Sequence, residues 1–509
     1  MTTSTPMPNG TSLKSAASRI AGALDQSIQM VGHLCGHINS IAEDAHRDGM
    51  AIAQESRELA SSVNHKFLLA SRGVKASPKA LRITGQLLGI AVRYRLEEGR
   101  RQANATGASE RLEALHQNCA ESVRRLCEEQ RGATLKLGQF LSMRPDLLPA
   151  AYIRELSELR DRVPPLPFAE IEGQLQEAFA TPLNEVFAQV DEIATAAASL
   201  AQVHRATGLL GQDYAVKVQV PKAHEQVMAD IAILRAIAAA LPPDSLPFDI
   251  RTTLEQIADS VAAELDYQQE AHHCEKLAEL MAATPGVEVP GLAKELCTER
   301  VLTMQWMQGL PLDKALVAAD LERRRQILTR LVRCFAQQIF DFGYFHADPH
   351  AGNILVREDD AAPEGFCLVL LDFGCVQALS SDVRDGYSAL LRAVFVRDSS
   401  AVRASLNALG FEQEGNDTAA LEAMTEAMLA PLQRDGALQE WARDPKAATK
   451  ALMELTQSVP GLKTPRHFVL LGRVLATLGG ILIEHSDAGV SLPAIVATEL
   501  ARAQSSSVR

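Results

Sequence analysis

The chain is short of aromatic residues, of regularly spaced cysteines, of positive charge and of any unbroken apolar run that spans a membrane. Aromatics are 5% of 509 residues, while Ala, Leu, Glu and Arg are abundant, a balance that favours helix. A formal net charge of −13 excludes a general nucleic-acid binder, which needs a basic face to displace counterions from phosphate. Eight scattered cysteines without a CxxC pair exclude a disulfide framework or a zinc site and read as reduced thiols of a cytosolic-type compartment. The start, "MTTSTPMPNGTS", has no charged residue followed by an apolar run, so no secretory signal is expected. The most apolar stretch, "FVLLGRVLATLGGILI" at 468–483, carries Arg473 near its middle and falls short of the roughly 20 residues a span requires, which predicts a buried helix. A cytoplasmic location, with or without peripheral membrane contact, is the resulting expectation.

What is present reads as several units along the chain. Residues 1–12 are polar and expected to be disordered, and 13–105 form a helical extension. In "SPKALRITGQLLGIAVRYRL", Ala80, Ile83, Leu87, Ile90, Ala91 and Tyr94 fall on one helical face, with Arg82, Gln86 and Arg93 on another. Eight basic residues between Arg72 and Arg101 leave two readings open, a helix lying on an anionic membrane or one packed on the protein with a solvated basic edge. A further helical element spans 106–190 and includes the Pro-rich boundary "RVPPLPF" at 162–168. In the next segment, 191–305, "SLAQVHRATG" and "DYAVKVQV" predict paired strands turned by Gly208, Gly211 and Asp213. Two long helices, separated by "LPPDSLP", and the strand "ERVLTMQWM" follow. Residues 306–509 are helical apart from short β-rich runs at "NILV" and "CLVLLDFG".

The chemistry gathers in a few motifs. In "FHADPHAGN" Asp348 precedes Asn353 by five residues, the spacing by which kinase-type enzymes orient a nucleophile and coordinate magnesium from one loop. Asp-Phe-Gly occurs twice, at 341–343 and 372–374. The later copy leaves the apolar strand "CLVLL", so Asp372 is the expected metal ligand. The earlier one ends a helical pattern, which makes Gly343 a helix C-cap and Asp341 part of its last turn. A lysine on an upstream strand, Lys217 in "YAVK", completes the chain order that nucleotide-phosphate binding needs.

These motifs together resemble the UbiB family of atypical protein-kinase-like ATPases, also called AarF-type, over about residues 110–480. The most specific match is "LKLGQFLSMRPDLLPAAYIRELSELRDRVPP", with the family's Lys-x-Gly-Gln as Lys136, Gly138 and Gln139. The resemblance implies an α+β, bilobal, protein-kinase-like fold, predominantly helical, with the helical Lys-x-Gly-Gln extension packed on the N-lobe. It implies ATP and Mg2+ as cofactors, with Asn353 and Asp372 on the metal and Asp348 and Lys217 as catalytic groups. The family's alanine-rich loop is Ala196, Ala197, Ala198 and Ser199. Alanine disfavours positive φ and adds a Cβ, so phosphates should be held differently than by glycines, with poor transfer to proteins as the consequence; a helix start is the alternative reading. The Glu-x-Asp motif is Glu264 and Asp266. In a helix Asp266 and Glu270 are i,i+4 neighbours, and the resemblance pairs Glu270 with Lys217 and sets Glu264 and Asp266 against Lys136. Adenine is expected against the backbone from Gln305 to Met307. His346 is expected to support its loop, and Ala351 replaces a proline of the family's loop pattern.

No Ala-Pro-Glu follows Asp372, which argues against a polypeptide substrate. The expected function is a magnesium-dependent ATPase or atypical kinase, with ubiquinone or isoprenoid-lipid metabolism implied by the resemblance and quinone precursors or ubiquinone-biosynthesis proteins as partners. Two alternatives stand beside it: a nucleotide-gated lipid-binding chaperone or pseudokinase without turnover, and a metallohydrolase built on His346, Asp348 and His350.

Overall fold

The computed structural model describes residues 108–130, 132–142, 148–159, 164–240, 261–413 and 465–507, with scattered residues at 82–98, 254–258, 422–426 and 462–463. The stretch 1–12, most of 13–105 and the 241–247 linker lie outside the described residues. The chain divides into two units, one made of Met1–Ser142, Leu147–Leu159 and His224–Ala258, the other of the remainder.

In the first unit α1 (Ala108–Gln130) packs with α2 (Gly132–Ser142) and α3 (Ala150–Leu156), and most of the helix Ala223–Ala240 belongs to the same unit. The helical residues before α1 present the predicted amphipathic face. Ile83, Ile90, Ala91 and Tyr94 are buried, and the Tyr94 hydroxyl bonds His116 Nδ1 at 2.7 Å and the Tyr152 hydroxyl at 3.1 Å. Arg82 and Arg93 remain exposed, with Arg82 paired to Glu129. The apolar face is therefore consumed by the unit's own packing, which favours the packed-helix reading over insertion into a membrane. Gly138 is needed for close approach inside α2, because a Cβ there would lie 2.5 Å from Leu159 and 2.7 Å from the Cys127 sulfur.

The second unit begins with α4 (Phe168–Phe179), which starts directly after Pro167. An antiparallel sheet follows in the order β1 (Phe187–Val190), β3 (Ala201–Gly208), β4 (Asp213–Gln219), β6 (Val301–Gln305), with β2 (Ala196–Ala197) added to β3. Period-two alternation decides what this sheet offers. Val216 and Val218 are completely buried in a core with Ile171 and Leu175 of α4, so the intervening Lys217 points to the opposite face. The turn between β3 and β4 uses Gly211 at φ +86°, where a side chain would be strained. Behind Lys217 runs α5 (Tyr267–Met281).

The helical lobe of this unit holds α6 (Leu312–Ala318) and α7 (Leu321–Gln337), the latter capped by Asp320, whose carboxylate accepts from the Arg323 amide. A second small sheet, ordered β5 (Val287–Glu288), β10 (Phe366–Leu370), β9 (Ile354–Glu358), β7 (Leu310–Pro311), carries the loops of interest at its edge. β8 (Tyr344–His346) pairs with β11 (Val376–Ala378), and α8 (Ser381–Val396) starts at once, capped by Ser380. Near the C-terminal end lie α10 (Arg466–Glu484), after α9 (Ser399–Ala408), and α11 (Leu492–Ser507). The core binds these elements through Tyr267, Leu331, Phe335, Phe345, Phe366, Phe373, Val474 and Leu478. Each such buried side chain contributes about 1.5–3 kcal/mol. The apolar stretch with Arg473 is α10, buried as the sequence predicts through Phe468, Leu471, Val474, Leu478 and Leu482. Among the described residues no helix is long and apolar enough to cross a membrane.

Candidate active site

The two Asp-Phe-Gly copies part company in the backbone. α7 runs into a π-helical turn, Gln338–Phe342, closed by Gly343 in the left-handed region at φ +60°. Asp341 sits in that turn. Its carboxylate pairs with Arg502 of α11, and its carbonyl accepts from Arg384. Burial raises the Asp341 carboxyl above the usual range even with Arg502 beside it. The same turn supplies Gln338, completely buried, whose side-chain oxygen accepts from the His346 amide at 2.9 Å and so fixes the strand leading into the loop at 348–353.

Asp372 leaves β10 instead, at φ +58°, a conformation costly for a residue with a Cβ. The ladder of β9 against β10 pairs Ile354 with Leu370, and the Leu371 amide donates to the Asn353 carbonyl at 2.8 Å, so the Asp372 and Asn353 backbones run side by side. Phe373 is completely buried against the His346 ring, which anchors the turn.

Lys217 reaches this corner from the sheet. Its Nζ lies 2.6 and 2.8 Å from the two Glu270 carboxylate oxygens and 3.2 Å from Asp372 Oδ1. Glu270 is almost fully buried, whereas the Asp372 side chain is 52% exposed, as a group that takes a solvated ligand should be. Burial pulls the Lys217 ammonium down, but Asp372 and Glu270 together hold it well above its ordinary value. Lys217 also depresses the Asp372 carboxyl below the usual carboxylate range, while burial pushes Glu270 up against the opposing pull of Lys217. At neutral pH the corner therefore holds a fixed cation and an ionised carboxylate open to solvent.

The loop at 348–353 is held by its own polar groups. His346 Nδ1 accepts from the Asp348 amide at 3.1 Å and its Nε2 donates to the Leu371 carbonyl at 2.9 Å, so both ring nitrogens are committed and the histidine is structural. His350 Nδ1 caps the following turn by accepting from the Gly352 amide. The Asn353 amide nitrogen faces the Asp348 carbonyl and carboxylate at 3.3 and 3.4 Å, which leaves its oxygen for a cation. Among the described residues no three His, Cys, Asp or Glu groups cluster as a metal site. That removes the support for a metallohydrolase, yet it suits magnesium, which takes one or two protein oxygens and completes its shell with phosphate and water.

The alanine-rich loop is a hairpin, which sets aside the helix-start alternative: Ala196 pairs with Val203, Ala197 with Gln202, and the Ala198 amide donates to Ala201. None of Ala196, Ala197, Ala198 and Ser199 adopts positive φ, and the Ser199 hydroxyl is buried without a protein partner. Asp266 and Glu270 span the first turn of α5, the Glu270 amide donating to the Asp266 carbonyl at 3.0 Å. Asp266 is the N-cap, its carboxylate accepting from the Gln269 amide at 2.9 Å, because aspartate satisfies orphan amides better there than inside a helix. Glu264 belongs to the preceding helical turns, half-buried. At the interlobe strand the Gln305 and Trp306 amides are already spent on the Gly291 and Asp213 carbonyls, leaving Met307 as the next amide along.

Lys136 and Gly138 lie in α2 with Gln139, whose two amide atoms are buried without partners; the Lys136 side chain is outside the described residues. They belong to the first unit, and Glu264 and Asp266 to the second. One site residue escaped the sequence reading. Arg473 of α10 places Nη2 at 2.7 Å from Asp348 Oδ1. Its only signal was a charge inside an apolar helix.

The ABC1 atypical kinase-like domain matches residues 158–406. The chain is 32% identical over 299 residues to the AarF domain-containing protein kinase 1 of Xenopus laevis, covering 58% of this chain and 57% of the relative. It is 34% identical over 282 residues to the protein slr0889 of Synechocystis, covering 52% of this chain and 67% of the relative. The match to the ABC1 family protein C10F6.14c of Schizosaccharomyces pombe is 29% over 330 residues, 64% of this chain and 60% of that one. The chain thus spans about three-fifths of the length of several curated relatives. The solved structure of Rv3197 with erythromycin, from Mycobacterium tuberculosis, overlays with a TM-score of 0.52 at 23% identity, covering 76% of this chain and 97% of that one, a likeness of fold. The chain belongs to the ABC1, or AarF-type, family of atypical kinase-like proteins.

Proposed function

We propose that the protein binds ATP with magnesium between its sheet and helical lobes and acts as an atypical kinase-like ATPase. The observation that carries this is the Lys217 ammonium held by Glu270 while touching Asp372, three groups drawn from β4, α5 and the end of β10. A lysine so held is fully charged and aimed where nucleotide phosphates lie. Asp372 and the Asn353 oxygen would hold magnesium, which when bound neutralises charge on the transferring phosphoryl group. The Met307 amide and neighbouring carbonyls would meet the adenine.

Transfer to folded proteins is disfavoured by the same geometry. Only Cys375 to Leu379 separate Gly374 from the Ser380 cap of α8, and β11 is paired to β8, so no long segment stands ready to dock a polypeptide. The acceptor is water or a small molecule; an isoprenoid lipid or quinone precursor, and with it a place in ubiquinone metabolism, rests on the family resemblance. A second reading, nucleotide-gated binding without turnover, is favoured by one observation, the pairing of Asp348 with Arg473.

The test is magnesium-dependent ATP hydrolysis by the purified chain, with and without anionic liposomes and isoprenoid-quinone precursors, beside Lys217→Ala. Hydrolysis that the substitution abolishes supports the proposal; turnover indifferent to Lys217 contradicts it.

A further inference from the structure

α10 from Phe468 to Ile483 is largely apolar and Arg473 is its one charged residue, so the helix carries one charge into the helical lobe. That charge goes to a specific place. Nη2 lies 2.7 Å from Asp348 Oδ1, and Nη1 lies 3.9 Å from the sulfur of Cys375, the residue that follows the second Asp-Phe-Gly. The guanidinium thus bridges the loop that orients an acceptor and the turn that presents Asp372. Both partners are mostly covered, the Arg473 side chain 22% and the Asp348 side chain 29% exposed. Asp348's other oxygen faces the Asn353 amide nitrogen.

A phosphoryl acceptor needs that carboxylate, because its hydroxyl must give a hydrogen bond, and then a proton, to Asp348 as the oxygen attacks. In this arrangement the place on Oδ1 belongs to a permanent cation that competes with a neutral hydroxyl through a charge-assisted bond. An arginine serving the phosphates would aim at the metal side. The contacts of Arg473 are instead with Asp348 and Cys375.

We infer that Arg473 is a positioning residue that holds the acceptor side of the site closed by occupying Asp348, so that phosphoryl transfer requires its side chain to swing off Oδ1. The inference rests on the ATP-site reading above. It accounts for a complete set of polar groups coexisting with an occupied Asp348. The backbone need not move, since Arg473 stands on a helix anchored by Phe468, Leu471 and Val474 and only its long side chain has to rotate.

The test compares wild type, Arg473→Gln, Arg473→Lys, Asp348→Asn and the double variant Arg473→Gln with Asp348→Asn. For each, kcat and KM for ATP hydrolysis, MgATP affinity and the melting temperature are measured. Arg473→Gln should raise kcat by about tenfold, the weight of one charge-assisted hydrogen bond, with MgATP affinity within twofold of wild type. Arg473→Lys, which keeps the charge without the fork, should gain less, and Asp348→Asn should erase the gain. A folded Arg473→Gln protein that binds MgATP but hydrolyses it no faster overturns the inference, as does a gain that survives Asp348→Asn. Should Arg473→Gln not fold, Arg473→Lys decides alone: a gain of a few-fold supports the closure and none overturns it. Failure of the folded wild type to bind MgATP overturns the ATP-site reading and this inference together, whereas binding without the Arg473 effect overturns the inference only.

Discussion

Replacing Lys217 with methionine should destabilise the protein by an amount that grows with pH. The substitution leaves Glu270, whose side chain is 1% exposed, buried without the ammonium that lies 2.6 Å away. Burial already pushes the Glu270 carboxyl up, and Lys217 is the group that pulls it back. Without Lys217 the folded-state value rises further, while the unfolded value stays near 4.3. Between those two values the native state binds the proton that the unfolded state has lost, so the stability present at low pH is lost as pH rises through the window. The limiting slope is about 1.4 kcal/mol per pH unit. Up to about pH 7, where the wild-type carboxyl itself titrates, both proteins lose stability alike, so the deficit opens above it, by about 1.4 kcal/mol from pH 7 to pH 8. Urea unfolding of wild type, Lys217→Met and Lys217→Met with Glu270→Gln at four pH values measures it. The double variant should flatten the slope, since a neutral amide has no proton to gain. A Lys217→Met protein whose deficit is the same at pH 5 and pH 8 would refute the claim that Glu270 is the buried charge Lys217 exists to balance.

Gly138→Val should cost about 1–3 kcal/mol, the range for overpacking, because the new Cβ overlaps Leu159 and Cys127; chemical denaturation checks it, and an unchanged midpoint would show that α2 packs more loosely. Phe373→Ala removes a completely buried ring and should cost about 3–5 kcal/mol, with a loss of nucleotide affinity as the Asp372 turn loosens. Lys217 depresses the Asp372 carboxyl, so the unfolded state binds the extra proton just below pH 4 and stability contributed by this half-exposed pair falls as the solution is acidified. Asp372→Asn should remove that part of the acid dependence in unfolding titrations between pH 5 and pH 3.

Much of the second unit is legible in the sequence because its signals are local. Alternation in "YAVKVQV" places Lys217 opposite Val216 and Val218 whatever the partner strand, and a helical pattern before Asp341 against an apolar strand before Asp372 sorts the two Asp-Phe-Gly copies. Features that depend on meeting a distant segment are not. Arg473 and Asp348 are joined only once α10 packs beneath the loop, and a lone charge in an apolar helix reads as an argument against a membrane span before it reads as a partner. The spacing of Asp266 and Glu270 gives their shared helix turn, but only the break after Glu264 shows that Asp266 is its cap. The commitment of the Gln305 and Trp306 amides follows from long-range pairing with Gly291 and Asp213, which no local pattern announces.

The central claim is that the later Asp-Phe-Gly holds the metal and the earlier one ends a helix. Calorimetric titration of MgATP into wild type, Asp372→Asn and Asp341→Asn tests it most directly. Asp372→Asn should lose magnesium-dependent binding, and Asp341→Asn should bind as wild type does while losing about 1 kcal/mol of stability with its Arg502 contact. Binding lost in Asp341→Asn and kept in Asp372→Asn would contradict the account.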